Sequence, residues 1–366
     1  MSDHTSPDAG RTQRPPRRAS RAARVARVTA IAGAALLSLI LADYWAYPRW
    51  CPVGGQSLNR GENGLWLRYP WYFGQRTDAD LRRLAEELPA RQIRYAYFHV
   101  REVTAEGRLR FGYPESARRL VTTLHQRAPS VKAIAWVYAG NRRGRGSMDL
   151  RRPVVRRTMV AEAVWLVGEC GFDGVQWDYE ICESGERGFE QLMRETRAAL
   201  PPGKLLSAAV PVWAPWPFPQ RKKGWTEEDF VRIAPTCDQL AVMCYDSGLY
   251  LPRLYVWLVR QQAFHVTRAV ERGSPHCRVL LGLPTYNNST RAHHPHAESL
   301  RLALKGVREG LANPRAVTSA FSGVALFADY TTDADEWRTY ERLWLRPTPE
   351  AGPTLPEAVH ERPASP

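Results

Sequence analysis

The chain has 366 residues, which is enough for one large domain with additional segments or for two ordinary domains. Hydrophobic residues make up 44% of it and charged residues 24%, a balance that is typical of a globular protein and excludes a wholly disordered one. The formal net charge of +14 favours an anionic partner such as nucleic acid, an anionic membrane or an acidic glycan. The sequence carries no nucleic-acid fold motif, so we expect no nucleic-acid partner, and a solvated arginine-rich surface is the simpler interpretation.

The N-terminal region is typical of a membrane segment. Residues 1–27 contain seven arginines and two aspartates, and the next fifteen residues, Val28 to Ala42, carry no charge. Asp43 and an aromatic group follow, and positive residues before an apolar stretch with aromatics after it indicate an inside-to-outside orientation. We therefore predict a basic cytoplasmic tail over 1–27 and a single signal anchor over 28–47, with the remaining chain outside the cytoplasm at the cell membrane. Cleavage of this segment as a signal peptide, which would release a secreted protein, is the alternative.

After a linker over 48–62, eight short apolar runs alternate with eight amphipathic stretches. The predicted strands are Gly64–Arg68, Ile93–Val100, Val131–Tyr138, Gly174–Tyr179, Leu205–Val212, Gln239–Tyr245, Val279–Pro284 and Gly323–Ala328. The predicted helices are Asp78–Leu88, Pro114–Arg127, Pro153–Cys170, Gly188–Leu200, Thr226–Ile233, Leu254–Arg272, Ala297–Leu311 and Asp333–Leu345. Eight strand–helix units in strict alternation predict an α/β fold, a (β/α)8 TIM barrel over 63–345. The Pro-rich tail over 346–366 is predicted to be disordered.

The chain contains six cysteines, and no pair of them has the spacing of metal ligands. An oxidising compartment would permit one or two disulfides, whose pairing the sequence does not give. Because most of the cysteines lie in or beside apolar runs, buried free thiols are the favoured interpretation.

The fourth predicted strand carries a row of polar side chains. Since side chains alternate along a strand, Gln176, Asp178 and Glu180 lie on one face, pointing into the barrel. The opposite face holds Val175, Trp177 and Tyr179. Catalytic residues of TIM barrels come from the carboxyl ends of strands, and two carboxylates on one face repel, which raises the pKa of one of them and suits a general acid. Acids that pair with arginines at the rim are the structural alternative.

The run Asp173-Gly-Val-Gln-Trp-Asp-Tyr-Glu180 resembles the fourth-strand signature of glycoside hydrolase family 18, the chitinase-like family, Asp-Gly-apolar-Asp-apolar-Asp-aromatic-Glu. The resemblance implies that Glu180 is the proton donor and that Asp178 orients the substrate's 2-acetamido group, whose oxygen attacks the anomeric carbon. Such substrate-assisted catalysis demands an N-acetylhexosamine and implies no cofactor. The chain departs from the signature at Gln176, where the family has Asp. We expect Gln176 to donate a hydrogen bond to Asp178, with reduced or altered activity.

The ends of three later strands extend the resemblance to roughly residues 63–345. The run Met243-Cys-Tyr-Asp246 is similar to the family's Met-x-Tyr-Asp, which implies that Tyr245 contacts the acetamido carbonyl and that Asp246 binds the sugar. Tyr286 ends a run similar to Gly-apolar-Pro-x-Tyr, and the eighth strand offers Phe327 or Tyr330 where the family commonly has a sugar-stacking Trp. We also expect Trp213, in the loop after the fifth strand, to contact sugar, because sugar rings stack on aromatic faces.

Three functions remain open at this point. The first is a retaining glycoside hydrolase of chitinase or endo-N-acetylglucosaminidase type, a monomer that acts on cell-wall or other surface glycans. The second is a weak or inactive barrel that binds glycan, which the Gln176 departure favours. The third is a metal-dependent hydrolase that uses His293, His294, His296 and Glu298, although Glu298 equally suits the first turn of a helix and the family uses no catalytic metal.

Overall fold

The structure is a computed structural model that describes residues 21–55, 57–140, 148–215 and 224–346. It divides into two compact units, Met1–Arg49 and Trp50–Pro366. The predicted disordered tail lies outside the described residues except for Arg346.

The N-terminal unit is built on one helix, α1, which spans Arg21–Trp50. Within Arg24–Trp50, the most apolar stretch has a mean hydropathy of 2.1. No part of that stretch is buried. By length and composition this helix is a candidate membrane span, since about 20 residues suffice to cross the hydrocarbon core. A signal sequence has the same length and composition.

The second unit is a closed barrel of eight parallel strands. The strands are β1 (Asn63–Leu67), β2 (Ile93–Glu102), β3 (Lys132–Gly140), β4 (Gly174–Glu180), β5 (Leu205–Val210), β6 (Gln239–Met243), β7 (Arg278–Pro284) and β8 (Phe321–Phe327). Each strand pairs with the next, and β1 closes the barrel on β8 through Gly64↔Ala325 and Leu65↔Leu326. The predicted (β/α)8 barrel is thus confirmed.

Helices connect the strands in order. They are α2 (Asp78–Ala90), α3 (Pro114–Arg127), α4 (Pro153–Gly168), α5 (Arg187–Ala199), α6 (Glu227–Ile233), α7 (Pro252–Gly273), α8 (Leu300–Leu311) and α9 (Ala334–Tyr340), the last followed by a π turn over Glu341–Leu345. Capping side chains and prolines mark where six of these helices begin. Thr77, Thr226 and Asp333 form capping boxes that satisfy the first backbone N–H groups of α2, α6 and α9, and proline opens α3, α4 and α7.

The segment predicted as a linker, 48–62, begins in α1, and its later part lies against α8. Lys305 Nζ donates a hydrogen bond to the carbonyl of Pro52, and the Arg308 guanidinium donates to the carbonyl of Gly55. Basic side chains of α8 thereby satisfy backbone carbonyls that would otherwise be left without partners. All six cysteines are buried, and none forms a disulfide.

The inside of the barrel is filled with unusually large side chains. Trp66, Tyr97 and Trp136 pack there with Ala241, Leu280 and Ala325, so the axis is a packed core rather than a pore.

The two faces of β4 separate as alternation predicts. On the outer face, Trp177 donates its indole N–H to Thr196 of α5 and Tyr179 stacks on Phe189, while Gln176 and Asp178 are buried inside the barrel. The polar row of β4 is therefore directed along the barrel axis toward its carboxyl end.

Candidate active site

A cavity of about 350 Å³ lies over the carboxyl ends of the strands. Its lining consists of Arg68, Tyr69, His99, Arg101, Trp136, Tyr138, Asp178, Glu180, Tyr245, Asp246, Phe327 and Tyr330. A larger, more open depression of about 650 Å³ is lined by α9 and the turn after it, where Asp335 and Arg338 are exposed and paired with each other. We place the site in the smaller cavity, because it lies at the barrel's mouth and contains buried ionisable groups.

Gln176 lies deepest in the polar row, and its side chain is fully buried. Its Oε1 accepts a hydrogen bond from Trp66 Nε1 at 2.8 Å, and its Nε2 donates to Ser207 Oγ at 3.0 Å. The expectation that Gln176 donates to Asp178 is wrong. Side chains two residues apart on a strand are separated by almost 7 Å, so the amide of Gln176 reaches sideways to β1 and β5 instead.

Asp178 lies one step nearer the mouth and is 4% exposed. Its Oδ2 accepts a hydrogen bond from Trp136 Nε1 at 2.8 Å, whereas its Oδ1 is buried without a protein partner. Burial raises the pKa of Asp178 well above its usual range, and the neighbouring charge of Glu180 raises it further, while the Trp136 hydrogen bond opposes both. The surroundings of Asp178 therefore favour the neutral form of its carboxyl.

Glu180 ends β4 at the mouth, is partly exposed and lines the cavity. The prediction from the sequence left open which carboxyl of the pair would have its pKa raised. In the structure the pKa of Asp178 is raised, with burial as the main cause and the charge of Glu180 second.

An aromatic floor supports the two carboxyls. Tyr245 stacks on Phe327, with ring centroids 4.6 Å apart and planes at 17°, and Trp66 meets both rings edge-on. Burial raises the pKa of Tyr245 well above its usual range, and the charges of Asp178 and Glu180 add to this, so its hydroxyl keeps its proton and can donate a hydrogen bond.

Asp246 and Tyr286 form a hydrogen-bonded pair at the exposed edge of the cavity. Tyr286 donates its hydroxyl to Asp246 Oδ1 at 2.7 Å, and Asp246 has a left-handed backbone with φ of 53°. Burial raises the pKa of Tyr286, and the charge of Asp246 raises it further. Tyr286 also packs against His293, with ring centroids 4.1 Å apart, so Asp246 is held by the loop that follows β7.

Of two other predicted sugar contacts, Tyr330 lines the cavity and Trp213 does not. Tyr330 is 47% exposed and lines the cavity, with the guanidinium of Arg68 at 4.9 Å from its ring centroid. Trp213 stacks on His265 of α7 at 3.7 Å and is not among the described residues that line the cavity.

The proposed metal ligands do not form a cluster. His293 Nδ1 and Glu298 Oε2 are 3.4 Å apart and fully buried, but His294 stacks on Tyr250 instead. Within residues 21–55, 57–140, 148–215 and 224–346, no three His, Cys, Asp or Glu side chains are grouped to hold a metal ion. The metal-dependent alternative therefore has no support from these histidines.

The sequence pattern did not identify several residues of the site. Trp66 and Trp136 donate to the polar row of β4 from β1 and β3, and His99, Arg68 and Arg101 line the cavity. The alternation that identified the β4 row also places Tyr97 and His99 on one face of β2, ahead of the register shift that precedes Arg101, and this signal could have revealed His99.

Comparisons with known proteins agree with this geometry. The sequence model of "Glycosyl hydrolases family 18" matches residues 69–345. A relative, "Probable chitinase 10" of Drosophila melanogaster, is 24% identical over 204 residues, which cover 49% of this chain and 9% of that much longer protein.

Solved structures share the fold. The spore cortex-lytic enzyme SleL of Bacillus cereus has a TM-score of 0.53 and 12% identity, over 77% of this chain and 74% of that one. The C-terminal domain of a putative chitinase from Desulfitobacterium hafniense has a TM-score of 0.53 and 14% identity, over 76% of this chain and 97% of that one. On the extent of the family match, this chain belongs to glycosyl hydrolase family 18.

Proposed function

We propose that this protein is a retaining glycoside hydrolase that cleaves glycans containing N-acetylhexosamine, with Glu180 as general acid and base. The observation that carries the proposal is the placement of Asp178, Glu180 and Tyr245 around one cavity at the barrel's mouth. Asp178 offers a buried, unpartnered Oδ1 in that cavity, and Tyr245 offers a protonated hydroxyl. The suggested substrates are chitin-like oligomers or the glycan strands of a cell wall, cleaved by a chitinase or endo-N-acetylglucosaminidase reaction.

The proton needed for catalysis is shared by Asp178 and Glu180. In the resting site it lies on Asp178, whose pKa is raised by burial. When the acetamido N–H of a bound sugar donates to Asp178 Oδ1, the carboxylate form of Asp178 becomes favourable and the proton passes to Glu180. Glu180 then protonates the glycosidic oxygen, so that the leaving group departs as a neutral alcohol.

The acetamido group supplies the nucleophile. Its carbonyl oxygen attacks the anomeric carbon as the glycosidic bond breaks, and Tyr245 donates a hydrogen bond that fixes the direction of attack. Glu180, now a carboxylate, removes a proton from water, which attacks the same carbon and opens the cyclic intermediate. Two inversions at one carbon give net retention. Asp246, Tyr286, Phe327 and Tyr330 complete the proposed substrate-binding set, with Gln176 as a buried support beneath Asp178. Trp213 lies outside the described lining of the cavity, so its proposed sugar contact would be made beyond it.

The N-terminal helix is proposed to act as a signal anchor that holds the enzyme at the cell membrane, with the barrel outside the cytoplasm. The seven arginines of residues 1–27 support this orientation, because positive residues are retained on the cytoplasmic side. The anchor would keep the barrel within reach of cell-wall glycans.

The test is turnover of fluorogenic N,N′-diacetylchitobioside by the full chain in detergent, beside Glu180→Gln and the matched control Glu183→Gln. Glu183 lies three residues further on and does not line the cavity. We expect Glu180→Gln to lower kcat by roughly a hundredfold or more, as loss of a general acid does, and Glu183→Gln to leave it unchanged.

Three results are distinguished by this experiment. Turnover by the wild type that Glu180→Gln abolishes supports the hydrolase. Silence from all three proteins, with calorimetric binding of chito-oligomers, would support the glycan-binding alternative, which the Gln176 departure favours. Silence in both assays would remove N-acetylhexosamine glycans as the substrate class.

A further inference from the structure

One wall of the cavity carries positive charge. Arg68 follows β1 directly, Arg101 lies near the end of β2, and both line the cavity together with His99 and Tyr69. The general acid and base mechanism uses none of these four side chains. We refer to them as the cationic wall.

Arg68 carries a charge that no described carboxylate balances directly. Its guanidinium lies 4.9 Å from the ring centroid of Tyr330 and 5.3 Å from that of Tyr69, and it forms no ion pair with the carboxylates that the structure describes. Asp329 contacts the backbone N–H of Arg68 at 3.1 Å and Trp71 Nε1 at 2.9 Å instead. Burial raises the pKa of Asp329, and its hydrogen bonds with Trp71 and the Arg68 backbone oppose this.

Arg101 is placed by an irregularity in β2. The register with β3 shifts between His99 and Arg101, and Arg101 has a left-handed backbone with φ of 75°, which costs a residue other than glycine about 1 kcal/mol or more. Its guanidinium lies 5.1 Å from the Tyr69 ring centroid and 3.1 Å from Glu102. Arg110 lies 3.1 Å from the same carboxylate, so two guanidinium groups share one negative charge.

His99 lies between these arginines and the catalytic pair. Its ring stacks on Trp136 with centroids 4.0 Å apart, and its Nε2 is buried without a partner. Burial lowers the pKa of His99 to about 3, with the charges of Arg101 and Arg68 acting in the same direction. The ring is therefore neutral at working pH and leaves one nitrogen available to a ligand.

The two sides of the cavity consequently differ in charge. Glu180 ends β4 and Asp246 follows β6, whereas Arg68 follows β1 and Arg101 lies in β2. A neutral sugar polymer needs no unpaired guanidinium, and an arginine fork matches a carboxylate in geometry and charge.

We propose that the cationic wall binds the carboxylate of an acidic sugar next to the reacting N-acetylhexosamine, with Arg68 and Arg101 as its guanidinium donors and His99 Nε2 as a further polar contact. This inference rests on the proposed function and narrows its substrate class to glycans that carry a carboxylate. Two kinds of sugar supply that chemistry, a lactyl ether such as N-acetylmuramic acid and a uronic acid.

The experiment compares four tetrasaccharides with the full chain in detergent. They are alternating N-acetylglucosamine and N-acetylmuramic acid, the same compound with its carboxyls amidated, a hyaluronan tetrasaccharide and chitotetraose. Amidation removes charge with little change of shape, so the acidic-to-amidated ratio of kcat/KM isolates the carboxylate. We expect this ratio to exceed roughly ten in the wild type and to fall with added salt, as loss of a charge-assisted contact and its screening predict.

Matched variants assign the effect to residues. Arg68→Gln and Arg101→Gln are each expected to lower the ratio roughly tenfold. Arg110→Gln is the control, because Arg110 carries the same charge and contacts the same Glu102 but does not line the cavity.

A preference for the muramic acid compound over hyaluronan identifies the lactyl carboxylate, and the reverse identifies the uronate. Equal kcat/KM values for the acidic and amidated compounds would overturn the inference. The same would follow if Arg110→Gln lowered the acidic-to-amidated ratio as much as Arg68→Gln or Arg101→Gln. In either case, turnover of chitotetraose would leave the proposed function standing. If none of the four compounds is cleaved, the proposed function fails. Calorimetric binding of the acidic and amidated compounds then still tests the inference, because equal Kd values would overturn it.

Discussion

Replacement of Gln176 by Glu is the sharpest perturbation of the polar row of β4. Gln176 is fully buried, and its two polar atoms are satisfied by Trp66 Nε1 and Ser207 Oγ. Glutamate has the same shape, can accept from Trp66, and can accept from the Ser207 hydroxyl once that hydroxyl rotates. The substitution therefore changes the charge at this position and little else.

The cost depends on pH. A buried, uncompensated charge destabilises a protein by about 3–5 kcal/mol, whereas a protonated carboxyl at the same place is close to neutral in effect. Burial raises the pKa of the new carboxyl in the folded state above its unfolded value. The variant should thus match the wild type below the unfolded pKa and lose stability as pH rises through the folded pKa.

Thermal unfolding followed by tryptophan fluorescence measures this difference at pH 4, 6 and 8. For a domain of this size about 2 °C corresponds to 1 kcal/mol, so we expect Gln176→Glu to melt about 6–10 °C below the wild type at pH 8 and within about 2 °C of it at pH 4. Gln126→Glu, on the exposed face of α3, is the control and should change little at any pH. A Tm difference that is absent, or the same at pH 4 and pH 8, would refute the assignment of a dry, charge-free position beneath Asp178.

Three further substitutions test neighbouring contacts. Trp136→Phe removes the indole N–H that lowers the pKa of Asp178, so we expect the alkaline limb of the kcat/KM profile, which reports the ligand-free enzyme, to move to higher pH and kcat to fall about tenfold. Tyr245→Phe keeps the aromatic ring but removes the hydroxyl, and it should lower kcat/KM about a hundredfold while Tm stays within about 2 °C. Glu298→Ala leaves the Ser247 N–H unsatisfied, whereas Glu298→Gln keeps its acceptor, so urea denaturation should find the alanine variant about 1–3 kcal/mol less stable than the glutamine variant.

The sequence predicted the barrel and the direction of the β4 side chains because both depend on local periodicity. Alternation along one strand is enough to separate Gln176 and Asp178 from Trp177, and the structure places Trp177 against α5 as that pattern requires. Strand ends were less predictable. The sixth strand is predicted to run to Tyr245 but ends at Met243, and the left-handed backbone of Asp246 that follows is not shown by a hydrophobic pattern.

The partners of the polar row could not be predicted, because they depend on register between distant strands. Trp66 is 110 residues from Gln176 in the chain, and Trp136 is 42 residues from Asp178. Nothing in a single strand's pattern indicates which neighbouring side chain will reach its polar atoms. The expected hydrogen bond from Gln176 to Asp178 is wrong for a local reason, because side chains two residues apart on one strand are separated by almost 7 Å.

The glutamine that departs from the family signature is compatible with catalysis on electrostatic grounds. Three inward carboxyls in a dry barrel would need two protons to avoid adjacent charges, and the innermost would hold its proton at any working pH. An amide has the shape and neutrality of a protonated carboxyl, so Gln176 reproduces that state permanently and leaves one mobile proton for Asp178 and Glu180. We therefore expect the alkaline limb of the kcat/KM profile, which reports the ligand-free enzyme, to follow a single ionisation, with activity falling as pH rises through the raised pKa of Asp178. A limb with the slope of two ionisations would show that a further buried group titrates with the pair, contrary to a neutral position at Gln176.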